Sequence, residues 1–264
     1  MRRLVIVVEY LGKNYQGWQA QQHKNTICDV LTEAMQKVLC HDVMLFVSGR
    51  TDLGVNAMRQ YAHFDTDSTI TPLGLCLGVN TKLPPDIAVK ECYEVPSDFD
   101  ARFSVEAKTY LYKIYISPTP SPLRHHTHAQ LYFPLDIEKM RQAAEYIKGE
   151  HDFKAFMARG GHAKTTVRTV YDVDIKEVGD EIHFEVSGNG FLYNMVRIIV
   201  GTLVKVGQGK IPPEQVKEMI DQKRRALGGK TMEPQGLYLK SVKYQEKFLP
   251  YLKMDKKAKN HKKF

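Results

Sequence analysis

Residues 43–64, VMLFVSGRTDLGVNAMRQYAHF, decide how this chain folds. The apolar, β-branched and aromatic run Val43–Val47 and the run Gln60–Phe64 predict strands over 42–49 and 58–66. Between them lies SGRTDLGVNA, residues 48–57, a loop pinned between two strands, which is a common seat for chemistry on a rigid scaffold. It holds one acid, Asp52, between Gly49 and Gly54, with Arg50 two residues before it. The glycines permit positive φ or close backbone approach. The neighbouring guanidinium favours an ionised carboxylate. Read without context, the same decad is a tight turn in which Arg50 and Asp52 satisfy each other.

Working outward, Arg2–Tyr10 reads as a buried strand. Leu11–Gln22 is a loop in which the single tryptophan, Trp18, stands among glutamines. Such a loop offers either a stacking surface for bases or a core anchor. Ile27, Val30, Leu31, Met35, Val38 and Leu39 recur at helical spacing, so 26–40 is an amphipathic helix. Pro72 opens a helix to Asn80, and Asp86–Tyr93 is a strand after the break at Pro84-Pro85. The order strand, helix, strand, strand, helix, strand is the split βαβ unit.

The second half repeats that order. Tyr110, Tyr112, Ile114 and Ile116 share one face of a strand over 106–117. The loop 118–134 holds Arg124, His125, His126 and His128, and Asp136 caps a helix over 136–148. Residues 166–178 and 181–187 form a hairpin turning at Gly179-Asp180. Helices over 191–206 and 213–224 precede a last strand, 236–244. The expected architecture is α+β. Two related βαββαβ (ferredoxin/RRM-like) halves, 1–104 and 105–248, join into one mixed, mainly antiparallel sheet with a central cleft. A basic, disordered tail, 249–264, follows.

The bulk properties fit a globular chain of 264 residues, 43% apolar and 26% charged. No apolar run approaches a membrane span, and no leader cleavage site follows the first strand, so a cytoplasmic protein is expected. The net charge is +8, but residues 251–264 hold six lysines and one aspartate, leaving 8 − 5 = +3 for the rest. That balance permits a polyanionic partner without requiring one. Cys28, Cys40, Cys76 and Cys92 are scattered, predicting free buried thiols rather than disulfides. The histidines at 125, 126 and 128 lack a carboxylate or cysteine at ligand spacing, so no metal is expected. Arg197 lies on a helix apolar all round, where an unpaired cation is costly and a buried acceptor is needed.

The motif GRTD-x-GV-x-A, from Gly49 to Ala57, resembles the signature of the tRNA pseudouridine synthase A family. The likeness extends from Tyr10 to Tyr244. It takes in Gly17-Trp18-Gln19-x-Gln21, Lys108-x-Tyr110-x-Tyr112, His151-Asp152-Phe153, the run Gly190–Arg197 and Gly236–Leu239. Leu53, Asn56, Arg59 and Asp100 depart from the family pattern.

The resemblance implies uridine-to-pseudouridine isomerisation in the anticodon arm of tRNA, at the family's positions 38, 39 or 40. It implies no cofactor and a homodimer. By resemblance Asp52 is catalytic, while Arg50, Tyr110, Arg197 and Leu237 meet the substrate, with Arg197 partnering Asp52. The carboxylate could attack the sugar, attack the base or abstract a sugar proton. Two other classes compete. A tandem RNA-binding module would need paired aromatics that no strand here shows. A nucleoside-directed, glycosidase-like enzyme would usually need a second carboxylate beside Asp52.

Overall fold

The computed structural model describes residues 1–19 and 25–252. Gln21 of the tryptophan loop and the basic residues 253–264 lie outside that range. The chain divides into two compact units. One comprises 1–53, 57–106 and the residues from Ser241 onward; the other comprises 54–56 and 107–240.

In the first unit, β1 (Arg2–Tyr10) pairs antiparallel with both β3 (Asn56–Thr66) and β4 (Ile87–Val95). A strand flanked on both edges has no exposed backbone to solvate. Its residues Leu4–Val8 are fully buried, which accounts for the unbroken apolar run. The short β2 (Phe46–Val47) pairs with β3 opposite Ala62 and His63. It is much shorter than the expected 42–49: Met44 stands exposed outside the ladder, and Phe46, within it, is also exposed. Helix α1 (Ile27–Leu39) starts at Thr26, whose hydroxyl accepts from Asp29 N. Helix α2 (Pro72–Asn80) starts at Thr71 in the same way, with Pro72 in the first turn.

In the second unit, β5 (Val105–Ile116) pairs antiparallel with β9 (Glu181–Gly188) and parallel with the short β6 (Ala129–Leu131). The hairpin β8 (Val167–Val178) to β9 turns at Gly179, with φ +64°, as the Gly-Asp pair predicts. Strand β7 (Gly149–Asp152) adds to β8. Helix α3 (Ile137–Glu145) is capped by Asp136 and ends before the expected 148, because Gly149 at φ +102° opens β7. Helix α4 (Met195–Gly207) starts later than the expected 191. Asn194 takes a left-handed φ of +59°, which closes Phe191–Asn194 into a turn.

Helix α5 (Gln215–Gln222) leads toward β10 (Leu237–Tyr244), whose residues the division splits after Lys240. Both units therefore show the βαββαβ order, the second enlarged by β6, β7 and α5. The fold is α+β, as the sequence predicts.

The 249–252 stretch, expected to begin the tail, is helical (α6, Leu249–Leu252), and Leu252 is fully buried. Of the four free thiols only Cys76 is buried, and Cys40 is exposed at the left-handed end of α1, contrary to the expectation of buried thiols. No helix among the described residues is long and apolar enough to cross a membrane.

His63 on β3 is buried, stacked on Phe46 at 5.0 Å and edge-on to Phe99, and its Nδ1 accepts from Ala101 N at 3.0 Å. Burial first, then the Arg3 charge, holds its pKa below the usual value. As pH falls below about 6.5, the unfolded chain binds this proton before the folded one does. Stability is therefore expected to drop from pH 7 to pH 5, by up to about 1.4 kcal/mol per pH unit for this group. Urea melts should show a smaller pH dependence in His63→Asn, whose side-chain oxygen can still accept from Ala101. An unchanged dependence contradicts the assignment.

Candidate active site

The loop carrying Asp52 is fixed at its base by polar groups buried within the first unit. Ser48 N donates to Tyr61 O at 2.8 Å. Ser48 Oγ donates to Gln60 Oε1 at 2.6 Å, and Gln60 Nε2 returns to Gly49 O at 2.7 Å. Gln60, read only as part of a strand, closes that base.

Thr51, adjacent to Asp52, is held from two sides. Its Oγ1 shares a 2.7 Å hydrogen bond with the Tyr10 hydroxyl, and its carbonyl accepts from Trp18 N at 3.0 Å. Gly17, at φ +88°, makes the second contact possible, because a Cβ there would lie 2.5 Å from Thr51 O. Burial raises the Tyr10 pKa, so the phenol stays protonated. Trp18 is buried, with its ring 6.1 Å from Tyr10. It is a core anchor of the loop and not a base-stacking surface. Asp52 is half-buried, while Arg50 and Leu53 are exposed.

The exit of the same loop, Gly54–Asn56, belongs to the second unit. Gly54 has φ +76° and packs on Pro234. Asn56, fully buried, donates through Nδ2 to Gln235 O at 2.8 Å. The segment 232–236 is a hub, since its carbonyls also receive Arg197 and Tyr112. Arg197 Nε donates to Met232 O at 2.6 Å, and the Tyr112 hydroxyl donates to Glu233 O at 2.6 Å. Gly236 lies against Tyr112, where a Cβ would sit 2.8 Å from the ring.

Arg197 is half-buried, not enclosed all round as the helix pattern suggested. Its Nη1 donates to Asn194 Oδ1 at 2.6 Å. A backbone carbonyl and an amide therefore serve as acceptors that the sequence did not announce. Tyr110 is nearly buried, edge-on to Phe191 at 5.2 Å. Leu237 is buried at the start of β10. Of the residues named from sequence, Asp52 and Arg50 belong to the first unit, and Tyr110, Arg197 and Leu237 to the second. The hydrogen bonds that Asn56 and Tyr112 make to the 232–236 segment were not legible in the sequence. Asn56 stood out only as a departure from a motif, and backbone acceptors leave no side-chain signature.

A rigidly mounted loop with one acid, on an α+β scaffold of βαββαβ order, defines a candidate enzyme site. A family model described as tRNA pseudouridine synthase matches residues 6–104 and 143–245. The chain belongs to the tRNA pseudouridine synthase family. It is 43% identical over 244 residues to the tRNA pseudouridine synthase A of Acetivibrio thermocellus, covering 92% of this chain and 100% of the relative. It is 44% identical over 245 residues to that of Ruminiclostridium cellulolyticum, with the same coverages, and 45% identical over 248 residues to that of Citrifermentans bemidjiense, covering 94% and 99%. A crystal structure of a Cbf5-Nop10-Gar1 complex aligns at a TM-score of 0.38 and 12% identity, over 89% of this chain and 48% of that one.

Arg197→Met removes charged donors from Met232 O and Asn194. The expected loss of stability is about 1–3 kcal/mol in urea denaturation. Arg197→Lys should lose less, because an ammonium can reach one acceptor but not span both as the planar fork does. Equal stability of all three proteins would show that these bonds are dispensable.

Proposed function

We propose that this protein isomerises uridine to pseudouridine in tRNA, at the anticodon arm, with Asp52 as the catalytic carboxylate. The observation that carries the reading is the family match along both units, together with the mounting of Asp52 between Thr51 and Gly54. The reaction breaks the bond from uracil N1 to ribose C1′, turns the base and forms a bond from C5 to C1′. The proton leaves C5 and one is taken up at N1, so the product is an isomer and no redox step is involved. The target base must be flipped out of its stack to reach the carboxylate.

Tyr110, braced edge-on by Phe191, is the proposed platform for that base. Exposed Arg50 is assigned to a phosphate, where binding gains most from charge. Leu237 is assigned to the apolar wall of the pocket, as the family element Gly236–Leu239 suggests. The role of Arg197 as the partner that keeps Asp52 ionised and aimed is a proposal from resemblance. So are the homodimer, the cytoplasmic setting and the choice among uridines 38, 39 and 40.

Asp52→Asn is nearly isosteric. It should fold and bind tRNA within about threefold of wild type while forming no pseudouridine, since the general contribution of such a group is large. Retention of a tenth of the wild-type rate would remove Asp52 from the catalytic role. Turnover of free uridine equal to that of tRNA would favour the nucleoside-directed reading instead. For the proposed pair, the stability losses of Asp52→Asn and Arg197→Met should sum to more than the loss in the double variant. Strict additivity contradicts the pairing.

The lysines of 253–264 add charge at one end of the chain. Their deletion is expected to weaken tRNA binding at low salt, with the effect fading as salt rises, and to leave the saturated rate unchanged. Filter binding and single-turnover assays across a salt series check both parts.

A further inference from the structure

A second cluster lies in the enlarged unit, on residues with no part in the proposed isomerisation. His128 precedes β6, and Glu181 and His183 are alternate residues of β9, so their side chains share one face. One ligand-capable atom from each of the three lies within 4.8 Å of the others. His183 Nε2 is 2.7 Å from one Glu181 oxygen, and His128 Nε2 is 3.2 Å from the other.

The hydrogen bonding of His128 sets its tautomer. Thr127 Oγ1 lies 3.3 Å from Arg124 O, to which it can donate, and 2.8 Å from His128 Nδ1; with its hydrogen on Arg124 O it accepts from Nδ1. The neutral ring then carries its proton on Nδ1 and turns the Nε2 lone pair toward a carboxylate oxygen. That nitrogen is buried and makes no hydrogen bond, in a side chain only 10% exposed. In that tautomer two lone pairs face each other at 3.2 Å, an arrangement that a cation between them would satisfy.

We propose that His128 Nε2, the Glu181 carboxylate and His183 Nε2 form a zinc(II) site, with water completing the tetrahedron. Two imidazoles and a carboxylate are a zinc donor set, and the bond lengths of about 2.0–2.2 Å put donors roughly 3.3 Å apart. The 3.2 Å from His128 Nε2 to Glu181 is already near that value, and His183 Nε2, at 2.7 Å from the other oxygen, would move outward. The bond from His128 Nδ1 to Thr127 is the outer-shell contact that orients a ligating histidine. His183 coordinates after its proton moves to Nδ1 or to solvent.

Arg124 Nε, 3.6 Å from Glu181, opposes the ion, but its Nη1 is paired with Asp180 at 2.5 Å. His125 and His126 are exposed and are not part of the cluster. The ion would tie the segment before β6 to β9, so its effect is on the stability of this unit and not on the chemistry at Asp52.

The test uses the full chain, stripped with chelator and titrated with zinc against a chromogenic chelator, with cobalt(II) absorption in parallel. The expected result is one zinc per chain and visible bands of four-coordinate cobalt. His128→Gln, Glu181→Gln and His183→Gln should each weaken zinc at least about tenfold, while His125→Gln and His126→Gln leave it unchanged. Zinc should raise the melting temperature of the wild type and not of Glu181→Gln, with pseudouridine formation equal in stripped and loaded protein. Thermal melts establish that each variant is folded, and Glu181→Asp, which keeps the carboxylate, should retain zinc better than Glu181→Gln. Absence of stoichiometric zinc, or the same affinity in all three ligand variants, overturns the site.

Discussion

The carbonyl oxygen of Thr51 occupies the space that a side chain at residue 17 would need. A Cβ on Gly17 would stand 2.5 Å from it, and the positive φ of that glycine is what allows the approach. Trp18 N is thereby brought to Thr51 O and Tyr10 to Thr51 Oγ1, so the backbone beside Asp52 is set by groups with almost no freedom of their own. Trp18 is buried and the Tyr10 phenol is fixed in a central strand. For the proposed role, in which the carboxylate meets one atom of a flipped nucleotide, this mounting serves better than flexibility, because misplacement by about 1 Å costs on the order of 100-fold in rate.

The 232–236 hub performs a comparable task in the other unit. Its carbonyls at 232, 233 and 235 accept from Arg197, Tyr112 and Asn56. A backbone turn whose three carbonyls each accept from a side chain is stiff, because no donor can leave without stranding its carbonyl. The segment is also pressed against helix α4. Gly201 and Gly229 leave no room for a Cβ between the helix and the 229–230 backbone, and Thr202 Oγ1 accepts from Gly229 N at 3.0 Å. These glycines are places of close approach rather than phosphate cradles.

Much of this was legible in the sequence, because local rules and tertiary structure agree in most of the chain. Thr26, Thr71 and Asp136 announce their helices as caps, and the aromatic alternation of 110–116 announces its strand. The glycines at 49 and 54 announce the loop that holds Asp52. What was missed follows a pattern. Strand β6 is too short, and β7 too short and too polar, to show a period. Helix α4 starts late because Phe191 and Leu192 continue its apolar run, whereas Asn194 ends the preceding turn through its backbone, which composition does not reveal. The acceptors of Arg197 are main-chain and amide oxygens distant in sequence or hidden in that turn. His128, Glu181 and His183 come together only through strand register, so ligand spacing along the chain could not disclose them.

In the proposed reaction Asp52 depends on Gly17 and Thr51 to hold it in place. Gly17→Ala tests this most directly, by single-turnover pseudouridine formation on an unmodified tRNA transcript, with binding measured on the same preparation and folding verified by a cooperative melt. The mounting described here predicts a rate lower by about 100-fold or more with tRNA affinity nearly unchanged. A folded Gly17→Ala protein that forms pseudouridine at the wild-type rate would contradict it.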